Sequence, residues 1–134
     1  MAKTIEVKGF GTPEEVRTFD KGRVELVKVG GATIGRVVFQ PGWKWSTCVK
    51  PLANTTSCEA AHFGYQISGT MCIRMDDGTE KECKGGEVAL VPPGHDAWVV
   101  GNEPVVIIDF QGMVDYAKST SAANSTKGQE VTSR

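Results

Sequence analysis

The chain is poor in histidine, in aromatic residues and in long apolar runs. Of its 134 residues, two are histidine and 7% are aromatic. No stretch approaches the ~18 consecutive apolar residues of a membrane-spanning helix. The opening residues, MAKTIEVKG, lack the apolar core of a secretory leader, so a cytoplasmic location is expected. Neither sign of charge dominates: 15 Lys and Arg stand against 16 Asp and Glu, for a net charge of −1. The cations are scattered and form no basic stripe to neutralise phosphates, which argues against nucleic acid as a partner. GxGxxG, a Walker loop, GxSxG, HExxH and CxxC are all missing. With them go the standard signatures of dinucleotide, nucleotide triphosphate, esterase and simple zinc sites.

Glycine is plentiful, at 16 residues, and valine recurs in short runs broken by turns. That is the pattern of an all-β domain of many short strands. A chain of this length forms one domain and buries roughly two-thirds of its unfolded surface. Val24 to Val29, Ala32 to Gln40, His62 to Ile67, Val88 to Val91, Ala97 to Val100 and Pro104 to Phe110 read as strands. Phe19 to Gly22 reads as a turn, and Gly30-Gly31 as a two-residue hairpin turn. Lys3 to Lys8 is expected to form a short first strand. Thr12-Pro13-Glu14-Glu15 carries a cap residue, a proline and a glutamate in the order that starts a helix, here of about one turn. Gly112 to Tyr116 closes the domain, which spans residues 1–117. The tail, residues 118–134, is rich in Ser, Thr, Ala, Asn and Lys and has little to bury, so disorder is expected.

The four cysteines sit in a chain too large and too apolar for a disulfide scaffold, and reduced thiols are expected. Cys72 and Cys83 flank a hairpin signal. A three-residue loop, Asp76-Asp77-Gly78 with Gly78 left-handed, sets Arg74 opposite Glu80, Cys72 opposite Glu82 and Met71 opposite Cys83. A loop one residue longer pairs the two cysteines but sets Arg74 against Lys81, and like charges directly opposite are unfavourable. The first register is therefore expected, without a disulfide.

Two stretches carry the chemistry. Gly86 to Asn102 reads as strand, tight turn, strand, with Pro92, Pro93 and Gly94 at the turn. His95 and Asp96 stand at the mouth of this hairpin, where a rigid scaffold holds polar groups over a cavity. Trp43 to Ala61 has no clear periodicity, yet it holds Trp43, Trp45, Cys48 and Cys58. It is expected to be an ordered, irregular loop folded over the barrel mouth.

Gly86, Pro92 and Gly94 resemble the glycine, proline and glycine of the second signature motif of the cupin superfamily. The motif histidine falls on Ala97 and its asparagine on Gly101. His95 lies two residues earlier and shares a strand face with Ala97. Anchoring the last glycine of the first cupin motif on Gly69 sets that motif's glutamate on His62. Its histidine pair then falls on Thr56 and Cys58, or on Thr55 and Ser57, so none of the family's ligand residues is kept in place. The runs WKWS, KP, TTSC before His62, and PPGHDAW also resemble a subgroup of small single-domain bacterial cupins. The resemblance implies an all-β double-stranded β-helix, a jelly-roll (RmlC-like) barrel. It also implies a homodimer in which an N-terminal strand adds to a neighbour's sheet edge.

On this reading His62 and His95 point into the barrel and share one ligand, ion or water. Cys58, four residues before His62, reaches the same place across a bend. Cysteine and imidazole suit one divalent ion (zinc, copper or iron) held by Cys58, His62 and His95. Gln66 shares a face with His62, and together with Trp43 and Trp45 the histidines line an apolar pocket. Asp96 either orients a histidine or caps the turn after Gly94, and Trp98 packs against the second sheet or a partner subunit. Three functions compete: binding of a small molecule in the barrel, metal-dependent catalysis of oxygenase or isomerase type, and a protein-interaction module that uses the barrel as scaffold. Small-molecule binding is the preferred reading.

Overall fold

A computed structural model describes residues 4–114 and 116–118, and among these described residues alternation of apolar and polar residues between glycine turns generates nine strands. In chain order the strands are β1 (Glu15–Phe19), β2 (Gly22–Val29), β3 (Ala32–Phe39), β4 (His62–Ser68), β5 (Thr70–Met75), β6 (Glu80–Lys84), β7 (Val88–Val91), β8 (His95–Val100) and β9 (Val105–Asp109). They form a six-stranded sheet, β1-β2-β3-β9-β4-β7, and a three-stranded sheet, β6-β5-β8. Every strand pairing is antiparallel. Val24, Leu26, Val37 and Phe39 of the larger sheet meet Met71, Ile73, Ala97 and Val99 of the smaller one in a single buried core. Burial of each large apolar side chain contributes roughly 1.5–3 kcal/mol. This is the expected all-β jelly roll.

Local chemistry sets the registers. Gly30 and Gly31 have φ of 58° and 82°, as a two-residue turn of the primed type needs. The β5–β6 hairpin pairs Arg74 with Glu80, Cys72 with Glu82 and Met71 with Cys83, and Gly78 has φ 92°. The opposite-charge register is thus the one formed, and all four cysteines are free thiols. On β4, alternation turns His62, Gly64 and Gln66 inward and leaves Phe63, Tyr65 and Ile67 exposed. Gly64 sits where a Cβ would meet the Ile108 carbonyl at 2.4 Å, so β9 can lie close against β4.

Three local expectations are corrected. Residues 4–9 form no strand, and Lys3 lies outside the described residues; the stretch pairs with none of the described strands, and Ile5 and Val7 are 93% and 86% exposed. No helix starts at Pro13. The Glu14 N–H donates to the Leu26 carbonyl at 2.9 Å, and this tertiary bond takes the chain into β1 instead. The segment from Trp43 to Ala61 is not wholly irregular, for it holds two single-turn helices, α1 (Trp45–Cys48) and α2 (Lys50–Ala53). Pro51 lies in the first turn of α2, and Asn54 ends it in the left-handed region at φ 61°.

The closing segment folds back under the barrel. Met113 and Tyr116 are buried, and Arg17 of β1 donates to the carbonyls of Met113, Val114 and Tyr116 at 3.2, 2.8 and 2.7 Å. Residues 119–134, most of the tail expected to be disordered, lie outside the described residues. No helix among the described residues is long and apolar enough to cross a membrane.

Candidate metal centre and cavity

Cys58 belongs to no strand, yet backbone bonds stitch it to the start of β8. Its N–H donates to the His95 carbonyl at 2.8 Å, and its carbonyl accepts from Gly94 N–H at 2.7 Å and His95 N–H at 3.3 Å. This antiparallel bridge sets Cys58 beside His95. His62, at the start of β4, comes to the same place from the other sheet. One ligand atom from each of Cys58, His62 and His95 lies within 4.8 Å of the others. The Cys58 Sγ is 3.7 Å from His62 Nε2, and the two imidazole rings meet edge to face, 5.4 Å apart.

Both rings are held by their Nδ1 atoms. His62 Nδ1 lies 2.6 Å from Asp109 Oδ2. His95 Nδ1 lies 2.7 Å from the Pro92 carbonyl, which can only accept, so Nδ1 carries the hydrogen. In each ring Nε2 is left as the nitrogen that could take a metal ion. Carboxylate–histidine and carbonyl–histidine bonds of this kind orient the imidazoles of metal sites. Tyr116 packs edge-on against His62 at 5.6 Å and completes the cage around that ring.

The charges of the row are coupled. Burial raises the Cys58 pKa, but hydrogen bonds from His62 and then His95 outweigh it and bring the thiol from 9.0 down to about 6. Burial lowers the His62 pKa, but the Asp109 hydrogen bond, followed by that of Cys58, lifts it from 6.5 to about 9. At neutral pH the metal-free Cys58–His62 pair is therefore thiolate and imidazolium. A thiolate is the form that both metals and electrophiles require.

Asp109 and Tyr116 are the site residues that strand parity alone did not pick out. Asp109 is 3% exposed, and its Oδ1 also accepts from Gln111 N–H at 2.9 Å. The signal was an acid ending the apolar run PVVIIDF, in phase with Val105 and Ile107. Asp96, by contrast, touches no histidine. Its Oδ1 accepts from Ala97 N–H at 2.8 Å and Ser46 N–H at 3.0 Å, so it caps the first turn of α1. Trp98 lies under the Lys44 ammonium, 5.2 Å from its ring centroid.

The three ligand atoms open onto a cavity of about 60 Å³, several times the ~10–15 Å³ that one water needs. Gln66, Trp43 and Trp45 line it, together with apolar residues such as Phe39, Ile73 and Ile107. Met113 and Tyr116 line it from the closing segment.

No protein-family model matches the sequence, and no curated protein matches it. Solved structures do match. A DUF1255 protein of unknown function from Acidithiobacillus ferrooxidans is 18% identical, with a TM-score of 0.52 over 72% of this chain and 85% of that one. KdgF from Halomonas sp. is 17% identical, with a TM-score of 0.52 over 72% of this chain and 83% of its own. The Clostridium difficile EutQ protein is 16% identical, with a TM-score of 0.50 over 72% of this chain and 65% of its own. All three are cupin-type folds, and at these identities the likeness is one of fold. The chain is a cupin-type barrel, and its particular chemistry has to be argued from its own residues.

Proposed function

We propose that this barrel binds a small molecule at one divalent metal ion held by Cys58, His62 and His95. The observation that carries the reading is the anchoring of both imidazoles through Nδ1, which leaves both Nε2 atoms and the Cys58 sulfur for one ion. One sulfur and two nitrogen donors fit zinc, copper or iron. A bound ion supplies Lewis-acid polarisation of a ligand oxygen. The protein's part is to orient the donors, to keep the walls apolar, and to leave a coordination position open to the cavity. That open position supports the alternative of a metal-dependent enzyme of oxygenase or isomerase type. Metal analysis of freshly purified, untagged protein tests the proposal. About one equivalent of metal, lost in Cys58→Ser, is expected; a metal-free protein that takes up no added zinc sinks it.

A second reading rests on the same row. Cys58, His62 and Asp109 stand in the order of a thiol nucleophile, its base and the base's support, at 3.7 and 2.6 Å. It requires a metal-free site in the active protein, so the same metal analysis separates the two.

The homodimer expected from the sequence also belongs to this proposal. Its support is the stretch of residues 4–9, where Ile5 and Val7 are exposed and alternate with polar residues, a pattern suited to pairing with a second copy's sheet edge. Light scattering of the full chain at tens of micromolar is expected to give the dimer mass, and a monomer mass refutes it. A cytoplasmic setting fits four reduced thiols.

A further inference from the structure

Two residues that line the cavity each carry a buried polar atom without a protein partner: the Oε1 of Gln66 and the Nε1–H of Trp43. Both residues are 2% exposed. A buried polar atom without a partner costs roughly 1–3 kcal/mol, so such atoms call for an explanation.

Neither is a matter of loose side-chain placement. The Nε2 of Gln66 donates to the Gly69 carbonyl at 2.9 Å and to the Cys83 carbonyl at 2.8 Å. Flipping the amide would aim its oxygen at two carbonyl oxygens, so Oε1 is fixed as an acceptor. Trp43 stacks on Phe39, with centroids 3.7 Å apart at 15°, and its carbonyl accepts from Val99 N–H at 3.0 Å. The indole plane is thus fixed, and its N–H can only donate.

The two groups lie at the same level of the barrel, away from Cys58. Gln66 is four residues beyond His62 on β4, and Trp43 is tied to Val99, four residues beyond His95 on β8. Four residues of strand span roughly 13 Å. The cavity lining therefore has an end with the Cys58, His62 and His95 donors and a second end whose residues carry one unpartnered acceptor and one unpartnered donor.

Resting on the proposed ligand cavity, we infer that its occupant carries at this second end a neutral group that both donates and accepts, an alcohol or a carboxamide. A carboxylate there meets the oxygen of Gln66. An ammonium brings three donors to one acceptor and finds no counter-charge, because the Asp109 carboxylate is engaged by His62 and Gln111. Between the ends the walls are apolar, with Val37, Ile73, Ala97 and Ile107 among them. A four-carbon chain with one metal-bound oxygen and one hydrogen bond spans about the required length.

The test is calorimetric titration of the zinc-loaded full chain with a matched set of carboxylates. They are γ-hydroxybutyrate, succinamate, pentanoate, succinate and γ-aminobutyrate. The first two are expected to bind at least about tenfold tighter than the other three. Gln66→Met is expected to erase that preference while zinc stays bound. Because Gln66 also holds two carbonyls, Trp43→Phe is the second variant: it keeps an aromatic ring beside Phe39, removes the N–H together with part of the indole, and is expected to reduce the preference several-fold. Equal binding of pentanoate and γ-hydroxybutyrate overturns the inference and assigns the two atoms to water alone. So does a preference that survives in both variants. Binding of none of the five to the zinc-loaded protein fails the ligand cavity itself and takes this inference with it.

Discussion

The two ends of the cavity are built in opposite ways. At the Cys58 end both histidine Nδ1 atoms are anchored, by Asp109 and by Pro92. At the Gln66 end the side chains are just as rigid, yet an acceptor and a donor are left without protein partners. One end is completed by the fold, and the other offers complementarity to something that is not protein. Under the proposed function, the difference separates what the barrel would do to a ligand from how it would select one. A metal end alone would be unselective, since many small oxygen and nitrogen donors bind zinc or iron, and selection would then fall to Gln66 and Trp43 at the far end.

The comparison breaks first at His62. His62→Ala removes a ligand and the partner of Cys58, so zinc affinity is expected to fall by more than the roughly 10–100-fold that loss of a supporting group costs. Competition with a chromogenic chelator measures it, and an unchanged affinity removes His62 from the site. Asp109→Asn comes next. It keeps a hydrogen-bond acceptor but removes the charge behind His62, and a loss of roughly 10–100-fold is expected in the same assay. An effect on stability alone, with zinc affinity intact, makes Asp109 a packing residue.

The metal-free protein sharpens the charge argument. The hydrogen bonds of His62 and His95 overcome burial and lower the Cys58 pKa to about 6, so its thiolate fraction rises through pH 6 and not through pH 9. Alkylation by iodoacetamide, mapped by peptide, is expected to show that midpoint at Cys58. Burial pushes Cys72 and Cys83 upward, and they are expected to stay slow at neutral pH. In His62→Ala the Cys58 midpoint is expected to move up toward the ordinary value. A wild-type midpoint near 9 contradicts the coupled row.

The smallest effects test the far end without any ligand. Gln66→Met strips the donors from the Gly69 and Cys83 carbonyls and is expected to cost about 1–3 kcal/mol in chemical denaturation. Trp43→Phe removes a donor that has no protein partner but also shrinks a fully buried ring, so its expected cost is the packing loss of a large-to-small core change, about 1–3 kcal/mol. A Gln66→Met protein as stable as the wild type means that the amide does not hold the two carbonyls.

Much of this was legible in the sequence because it is local or periodic. The β5–β6 register follows from three loop residues and one charge pair. His62 and Gln66 share a face by parity, and His95 shares one with Ala97. The Asp109 contact was not legible in the same way. It needs β9 to lie beside β4, with Gly64 opposite Asp109, and no short-range pattern dictates that neighbour. Pro13 shows the converse failure, since a well-formed local helix signal lost to one backbone bond with Leu26. The turns α1 and α2 are too short to leave a periodic trace, and the Asp96 cap on α1 comes from a distant strand.

One ion is expected between Cys58, His62 and His95. X-ray absorption at the zinc edge of the zinc-loaded protein reads that shell directly. One sulfur at about 2.3 Å and nitrogen scatterers at about 2.0–2.1 Å are expected, with the sulfur lost in Cys58→Ser. A wild-type shell of light atoms alone, with no sulfur, contradicts it.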